Sequence, residues 1–284
     1  MKNIRTHGLL LLVLCQLYLS FLRAELSAAA PIRREGESGR CKRHTVVFSA
    51  SAAMLNRKWK GWGPVVFRSR RTPILLAGYR QYLDDGDLRR FVDHVAQHYR
   101  PGTLERLLTT GDTLVRRAAA FGLGIVGEPS SLHVLGPALA SADRQLRLLA
   151  DDAFWAICQR EGNPDTIHRL RWIQRCNDAG RFQQAEAMAS ATIASSAATA
   201  ECYYQRAVSR SHQGRFYAAQ SDCRDALSRN RYHYRAMVLL ANCALQVNDP
   251  LDALYWLRCA LDVHPDQERT RVLARRLQRA ALER

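Results

Sequence analysis

Two consecutive stretches of equal length decide the fold: residues 200–233 read AECYYQRAVSRSHQGRFYAAQSDCRDALSRNRYH and residues 234–267 read YRAMVLLANCALQVNDPLDALYWLRCALDVHPDQ. Together with residues 166–199 they share columns spaced 34 residues apart: Gly180, Gly214 and Asn248; Phe182, Phe216 and Pro250; Ala185, Ala219 and Ala253; Ile193, Leu227 and Leu261. Each unit therefore predicts a helix, a tight left-handed turn at Gly or Asn, and a second helix whose Ala allows close packing.

These units resemble the tetratricopeptide repeat (TPR) family. The unit at 200–233 carries the family's residues at Tyr203, Ala207, Gly214, Phe216, Ala219, Cys223, Ala226 and Leu227, and the unit at 234–267 follows with Ala241, Ala253, Ala260 and Pro265. The unit at 166–199 is degenerate, because Arg169 replaces a large apolar residue and Thr192 replaces Ala. Residues 268–284 predict a solvating capping helix.

A looser repeat lies upstream, in residues 81–165. Asp85, Asp112 and Asp143 each open the pattern Asp-x-x-(Leu or Val)-Arg, which closes at Arg89, Arg116 and Arg147. Pro101, Pro129 and Pro164 are each predicted to begin another amphipathic helix, because the first-turn amide that proline lacks is unpaired anyway. This pattern resembles the HEAT-like repeats of phycobilisome lyases. The resemblance implies a polar ladder of Asp and Arg between stacked units.

The sequence thus predicts an all-α fold, a right-handed helical-repeat solenoid in which HEAT-like pairs precede TPR pairs. The stretch from Pro164 to Asp178 fits both repeat types, as the second helix of the last HEAT-like unit and the first helix of the degenerate TPR unit. No linker rich in Gly, Ser or Pro interrupts residues 80–284. We therefore expect one continuous superhelix.

The start of the chain holds most of the net charge of +16. Residues 1–72 carry fourteen Lys or Arg against three Glu, net +11. A basic start, an uncharged stretch from Gly8 to Leu22 and small residues up to Ala30 have the order of an export signal. The alternative is that residues 1–53 are a non-native extension outside the working protein, which could then start at Met54. The first alternative predicts an exported or membrane-associated protein, and the second predicts a cytoplasmic one.

Residues 54–80 form a basic arm that contains two tryptophans. Trp59 and Trp62 alternate with Arg and Lys, a combination that suits a nucleic-acid backbone or an anionic membrane surface. The arm predicts an adaptor role as the alternative function. The same aromatic residues could instead cap the open end of the solenoid.

The sequence predicts neither catalysis nor a metal or cofactor. The cysteines show no metal-binding spacing and indicate buried thiols in a reducing compartment. They are Cys15, Cys41, Cys158, Cys176, Cys202, Cys223, Cys243 and Cys259. His94 and His98 share a helix face but lack a third ligand and the Glu of a zinc peptidase. Prosthetic-group ligation of the lyase type is a less favoured hypothesis, because fold does not fix function.

The first helices of the TPR units predict the binding surface. Their inward positions are Leu170, Gln174, Asp178, Tyr204, Val208, His212, Arg235, Val238, Asn242 and Gln246, all expected to be exposed. The predicted peptide-binding residues are Tyr204, Val208, His212, Arg235, Asn242 and Gln246. We expect Arg235 to bind a carboxylate and Asn242 to bind a peptide backbone, and we expect neither residue to be needed for packing. The predicted partner is a protein or peptide.

Overall fold

The computed structural model describes residues 74–195 and 198–282, and these residues hold thirteen α-helices, one short 3-10 helix and no strand. The α-helices are α1 Ile74–Asp85, α2 Leu88–His98, α3 Pro101–Thr110, α4 Thr113–Val126, α5 Leu132–Ala138, α6 Arg144–Cys158, α7 Pro164–Asp178, α8 Phe182–Ala194, α9 Ala200–His212, α10 Phe216–Arg229, α11 Tyr234–Gln246, α12 Pro250–Val263 and α13 Glu268–Leu282. Consecutive helices pack on one another, which confirms the helical-repeat solenoid.

Side-chain caps explain why most helices begin where they do. The side chains of Asp112, Asp143, Asn163, Thr199, His233 and Asp249 each accept a hydrogen bond from a backbone N–H in the first turn of the helix that follows. Pro101, Pro164 and Pro250 occupy first-turn positions, where the missing N–H leaves no bond unmade. The helix starts are therefore determined by local sequence.

The turn inside each TPR-like unit has the predicted left-handed backbone. Gly180, Gly214 and Asn248 have φ of 71°, 74° and 61°. Among residues with a side chain, Asn adopts this conformation with little strain, which explains why Asn248 can replace Gly in the third unit. The second helices begin at Phe182, Phe216 and Pro250, so the 34-residue register predicted from the sequence is confirmed.

Small side chains allow the helices of these units to approach closely. Ala185, Ala219 and Ala253 on the second helices are fully buried, as are Ala207 and Ala241 on the first helices. Each first helix packs on its own second helix, and α9 also contacts α7 and α11, so the three first helices form one layer. Cysteines take similar positions: within the described residues five are buried, Cys259 is half-buried, and none forms a disulfide.

The structure of helices α1 to α6 differs from the Asp-x-x-(Leu or Val)-Arg pattern of the sequence at three points. Asp112 and Asp143, which open the pattern in the sequence, cap α4 and α6, whereas α2 begins at Leu88 and is capped by Asp87 rather than by Asp85 of the pattern. An Asp–Arg rung joins Asp143 to Arg117 at 2.6 Å, whereas the adjacent Arg116 donates to the carbonyl oxygen of Leu108. Pro129 opens a 3-10 turn before α5 rather than an α-helix.

α7 packs closely on α8 and α9 rather than on α6, so it belongs to the downstream array. α1 begins at Ile74, within the stretch assigned from sequence to the basic arm. Residues 73–284 form one compact unit. No helix of the described part of the chain is both long and apolar enough to cross a bilayer.

Candidate peptide-binding groove

The inward positions of α7, α9 and α11, here called the inner face, differ in exposure along the array. Leu170 is fully buried, so its predicted exposure was wrong: at this position of α7 protein covers the inner face, where an apolar side chain gains free energy on burial. The positions that are half-buried are Gln174, Tyr204, Val208 and Val238, and those that are exposed are Asp178, His212, Arg235, Asn242 and Gln246. The inner face is therefore open mainly at the C-terminal ends of α7, α9 and α11.

Arg235 is the exposed cation of the inner face, and its side chain packs on Trp155 of helix α6. Its guanidinium carbon lies 3.7 Å from the centre of the Trp155 ring, a cation–π contact with helix α6. No carboxylate among the described residues forms an ion pair with it. Burial acts to lower the pKa of Arg235, but Tyr234 and Glu201 raise it more strongly, so the group stays charged. Arg235 thus has a packing role that the sequence did not predict.

Trp155 belongs to a row of α6 side chains that contact two downstream segments, the start of α11 and the turn before α13. The indole Nε1 donates to the hydroxyl of Tyr234 (2.9 Å), and that hydroxyl donates to Asp151 (2.9 Å). One turn further, Arg147 forms a bidentate pair with Asp266, both bonds at 2.8 Å. This row, Arg147, Asp151 and Trp155, is spaced at four residues and forms one stripe along the helix. It fixes α6 against the N-terminal ends of α11 and α13.

A buried polar cluster supports the N-terminal ends of α9 and α11. The backbone N–H of Ala236 donates to Nδ1 of His233 (3.1 Å), so Nε2 carries the ring proton and donates it to Glu201 (3.1 Å). Gln205 donates to the same carboxylate at 2.8 Å. Burial acts to raise the pKa of Glu201, but the bonds from His233 and Gln205 hold it below its usual value. Glu201 is therefore ionised and supplies negative potential next to Arg235.

The remaining predicted site residues lie at different points along the inner face. The ring of His212 stacks on Phe182 of the preceding unit, with centroids 4.4 Å apart and planes 3° from parallel. Tyr204 packs beside His233 at 4.8 Å, and burial raises the pKa of its phenol. Asn242 and Gln246 are exposed and one turn apart on α11. The six predicted residues thus lie on α9 and α11, which are neighbouring helices.

Trp155, Glu201 and His233 are the site residues that sequence reasoning missed. A signal was present for two of them, because Glu201 and Arg235 stand 34 residues apart in one column with opposite charges, and Thr199 and His233 share the N-cap column. Opposite charges in one column of adjacent units indicate that the two side chains are neighbours. Trp155 carried no such signal, because it lies outside the 34-residue register.

The histidine pair on α2 packs as two stacked rings. His94 and His98 have centroids 4.7 Å apart, and Nδ1 of His98 donates to the carbonyl oxygen of His94 at 2.8 Å. Burial, followed by the nearby His98, lowers the pKa of His94. Residues 74–195 and 198–282 contain no group of three or more His, Cys, Asp or Glu able to hold a metal ion.

Fold and inner face together define a helical-repeat protein with an exposed, aromatic-supported arginine. No family model matches the chain, and no curated protein matches it. Among solved structures the chain resembles the TPR2AB domain of yeast Sti1 in its complex with pHSP90, with a TM-score of 0.36 and 17% sequence identity, covering 72% of this chain and 88% of that one. The basic arm up to residue 73 lies outside the described residues.

Proposed function

We propose that the chain is an interaction scaffold rather than an enzyme, and that its inner face binds an extended protein or peptide segment that presents a carboxylate. The observation that carries this proposal is Arg235: a residue exposed on the inner face, without an ion-pair partner among the described residues, whose guanidinium carbon lies 3.7 Å from the centre of the Trp155 ring. A planar cation fixed in this way can donate two parallel hydrogen bonds to a carboxylate with little further loss of side-chain entropy.

The neighbouring residues suit the rest of an extended segment. Asn242 is exposed about 10 Å further along α11, as judged from the helical rise. Its amide both donates and accepts, which matches a peptide backbone. Val208 and Val238 are half-buried and offer apolar contact between these polar points. A carboxylate bound at Arg235 would therefore orient a segment that runs toward Asn242 and Gln246.

The chemistry of the reactive groups supports a scaffold. Glu201 and His233, the strongest acid–base pair of the site, are 3% and 0% exposed and already bonded to protein partners. A substrate has no access to a pair in that state. Burial raises the pKa values of the thiols of Cys158, Cys202 and Cys223, which makes them poor nucleophiles.

We further propose the HEAT-like assignment for residues 81–165, with the TPR-like units at 166–199, 200–233 and 234–267 and a capping helix at 268–284. The aspartate caps of α4 and α6 support the first assignment, and the 34-residue register supports the second. On this basis the upstream array forms part of the binding site, because α6 supplies the ring on which Arg235 rests.

The experiment measures the binding of short synthetic peptides with acidic C-termini, each made as a free acid and as a C-terminal amide. Replacing both residues (Arg235→Gln, Asn242→Ala) should weaken binding of the free acids by roughly 1 to 3 kcal/mol, the usual scale for losing charged hydrogen bonds. Amidation should weaken binding to the parent chain but should add little to the double variant. Arg235→Lys keeps the charge and tests whether the planar stack on Trp155 is needed.

The matched control is Arg258→Gln, which removes an exposed charge from α12 outside the inner face. It should leave peptide affinity unchanged. Equal losses in Arg258→Gln and Arg235→Gln would assign the effect to general charge and contradict the proposal. Full binding by the double variant would place the working surface elsewhere.

A further inference from the structure

One helix holds nearly all the excess positive charge of the folded unit. Residues 73–267 contain 22 Arg against 21 Asp or Glu, net +1, whereas α13 contains five Arg against one Glu, net +4. Elsewhere in the unit arginines form ion pairs between helices, such as Arg206 with Asp222 at 2.7 Å and Arg117 with Asp143 at 2.6 Å. A terminal helix of a solenoid needs a polar outer face for solubility, but it does not need a face of one sign. The concentration of charge on α13 therefore requires another explanation.

The packing of α13 presents these arginines to solvent. Leu273, Ala274 and Leu277 pack against α12, so they fix one side of the helix. The opposite side carries Arg269, Arg275, Arg276 and Arg279, all exposed and without an ion-pair partner among the described residues. Only Arg271 is paired, with Glu268 and the carbonyl oxygen of Pro265. Arg275 and Arg279 are one turn apart, and Arg269 and Arg276 are two turns apart, so the four side chains share one face.

The composition of this face decides what it fits. Its exposed apolar residues are Val272 at 38% and Leu282 at 81%, and it has no aromatic residue. Protein interfaces depend on buried aromatic or large apolar anchors, which this face lacks. A membrane-surface helix inserts its apolar stripe, but the stripe of α13 already packs on α12. Guanidinium groups without apolar anchors suit phosphate oxygens.

We infer that the exposed face of α13 binds the phosphate backbone of a nucleic acid. From Arg269 to Arg279 the helix spans about 15 Å, estimated from its rise per residue. A DNA duplex presents roughly nine phosphates over that length, so several arginines can pair at once without reading any base. The surface lies on the terminal helix of the array and is separate from the inner face. It does not depend on the peptide-binding proposal.

The test uses the full chain, a short fluorescein-labelled DNA duplex and an RNA duplex of the same sequence, with binding followed by fluorescence anisotropy across a salt series. The variant Arg275→Gln/Arg276→Gln/Arg279→Gln removes three charges from α13. The control Arg89→Gln/Arg106→Gln/Arg224→Gln removes three exposed charges from other helices and has the same net charge. Circular dichroism and melting confirm that both variants fold. Because Gln is a good helix former, we expect α13 to persist.

Each arginine–phosphate contact contributes about 0.9 to the slope of log affinity against log salt concentration. The α13 variant should reduce that slope by about 2 to 3 and should lower affinity more than roughly tenfold, while the control keeps the parent slope and an affinity within about twofold. Equal losses of duplex affinity in the two variants would show that binding depends on the overall positive charge of the protein, and would overturn the inference. No loss in the α13 variant would also overturn it, as would α13-dependent binding to phosphatidylserine vesicles without binding to either duplex.

Discussion

Substituting Gly136 by Ala tests the contact between the upstream array and the loop before α11. A Cβ built on Gly136 would lie 2.2 Å from Cδ2 and 2.3 Å from Cγ of Tyr232, whereas ordinary contact begins at 3.4 Å. The ring would therefore have to move by about 1.2 Å. Because Cγ is the root of the ring, rotation of the ring about its own axis cannot relieve the overlap. Overpacking of this kind costs about 1 to 3 kcal/mol.

The sign of the effect makes the prediction decisive. A helical Gly→Ala change without steric conflict stabilises a protein by about 0.5 to 1 kcal/mol. Gly102 provides that reference, because a Cβ there would meet nothing within 4 Å. In urea titrations followed by circular dichroism, Gly136→Ala should lower the free energy of unfolding by about 1 to 2 kcal/mol, and Gly102→Ala should leave it unchanged or raise it slightly.

The double variant Gly136→Ala/Tyr232→Ala completes the cycle. With the ring removed, alanine at 136 should no longer destabilise the chain relative to Tyr232→Ala alone, which gives an interaction energy of at least about 1 kcal/mol. If Gly136→Ala were as stable as Gly102→Ala, the two arrays would not meet at Tyr232. The close contact between Gly136 of α5 and the Tyr232 ring would then be wrong.

Two further predictions concern Asp152 and Arg160, ionisable side chains whose pKa values are shifted by their surroundings. Burial and the Asp151 carboxylate raise the pKa of Asp152 to about 6 from its usual 3.8, so the folded chain holds a proton that the unfolded chain has released, and stability falls as pH rises through this range. Asp152→Asn should therefore stabilise the chain at slightly alkaline pH and be neutral near pH 4 in urea titrations. Because Asp152 is exposed, solvent screening keeps the gain small. An equal gain at both pH values would contradict the prediction. Arg160, whose pKa burial lowers to about 10, donates to the carbonyl oxygens of Gly124 (2.6 Å) and Gly127 (3.0 Å) at the end of α4. Arg160→Ala should lower the free energy of unfolding by about 1.5 to 3 kcal/mol in thermal melts, and Arg160→Lys should recover only part of that loss. An unchanged melting temperature would show that these hydrogen bonds do not stabilise the end of α4.

The parts of the fold that depend on neighbours in sequence were predictable. Gly180, Gly214 and Asn248 marked the turns because few residues tolerate a positive φ, and Phe216 and Pro250 marked the starts of second helices because the repeat length fixes them. The repeat pattern opens at Asp85, whereas Asp87 caps α2; both are good caps, and only the start of the helix distinguishes them.

The candidate site was predicted only as far as the repeat register reaches. The register predicted Tyr204, Arg235 and Asn242 on one face of adjacent helices; they lie on α9 and α11, where Arg235 and Asn242 are exposed and Tyr204 is half-buried. It could not predict that Trp155 supports Arg235, because the bond from Trp155 to the adjacent Tyr234 joins residues 79 positions apart, from arrays with different repeat lengths. Leu170 was predicted to be exposed by the same register and is buried, because exposure depends on what covers a position as well as on its direction.

The row of contacts from α6 has a consequence for synthesis of the chain on the ribosome. Asp266, the partner of Arg147, is translated 119 residues after it. At about 5 to 20 residues per second, α6 waits roughly 6 to 24 seconds for that partner. Tyr234, the partner of Asp151 and Trp155, follows them by 83 and 79 residues, so these two side chains wait roughly 4 to 17 seconds. Stacked repeats usually fold as they emerge, because each one contacts only its neighbours. This chain instead completes the contacts of α6 only after Asp266, just before α13, has emerged.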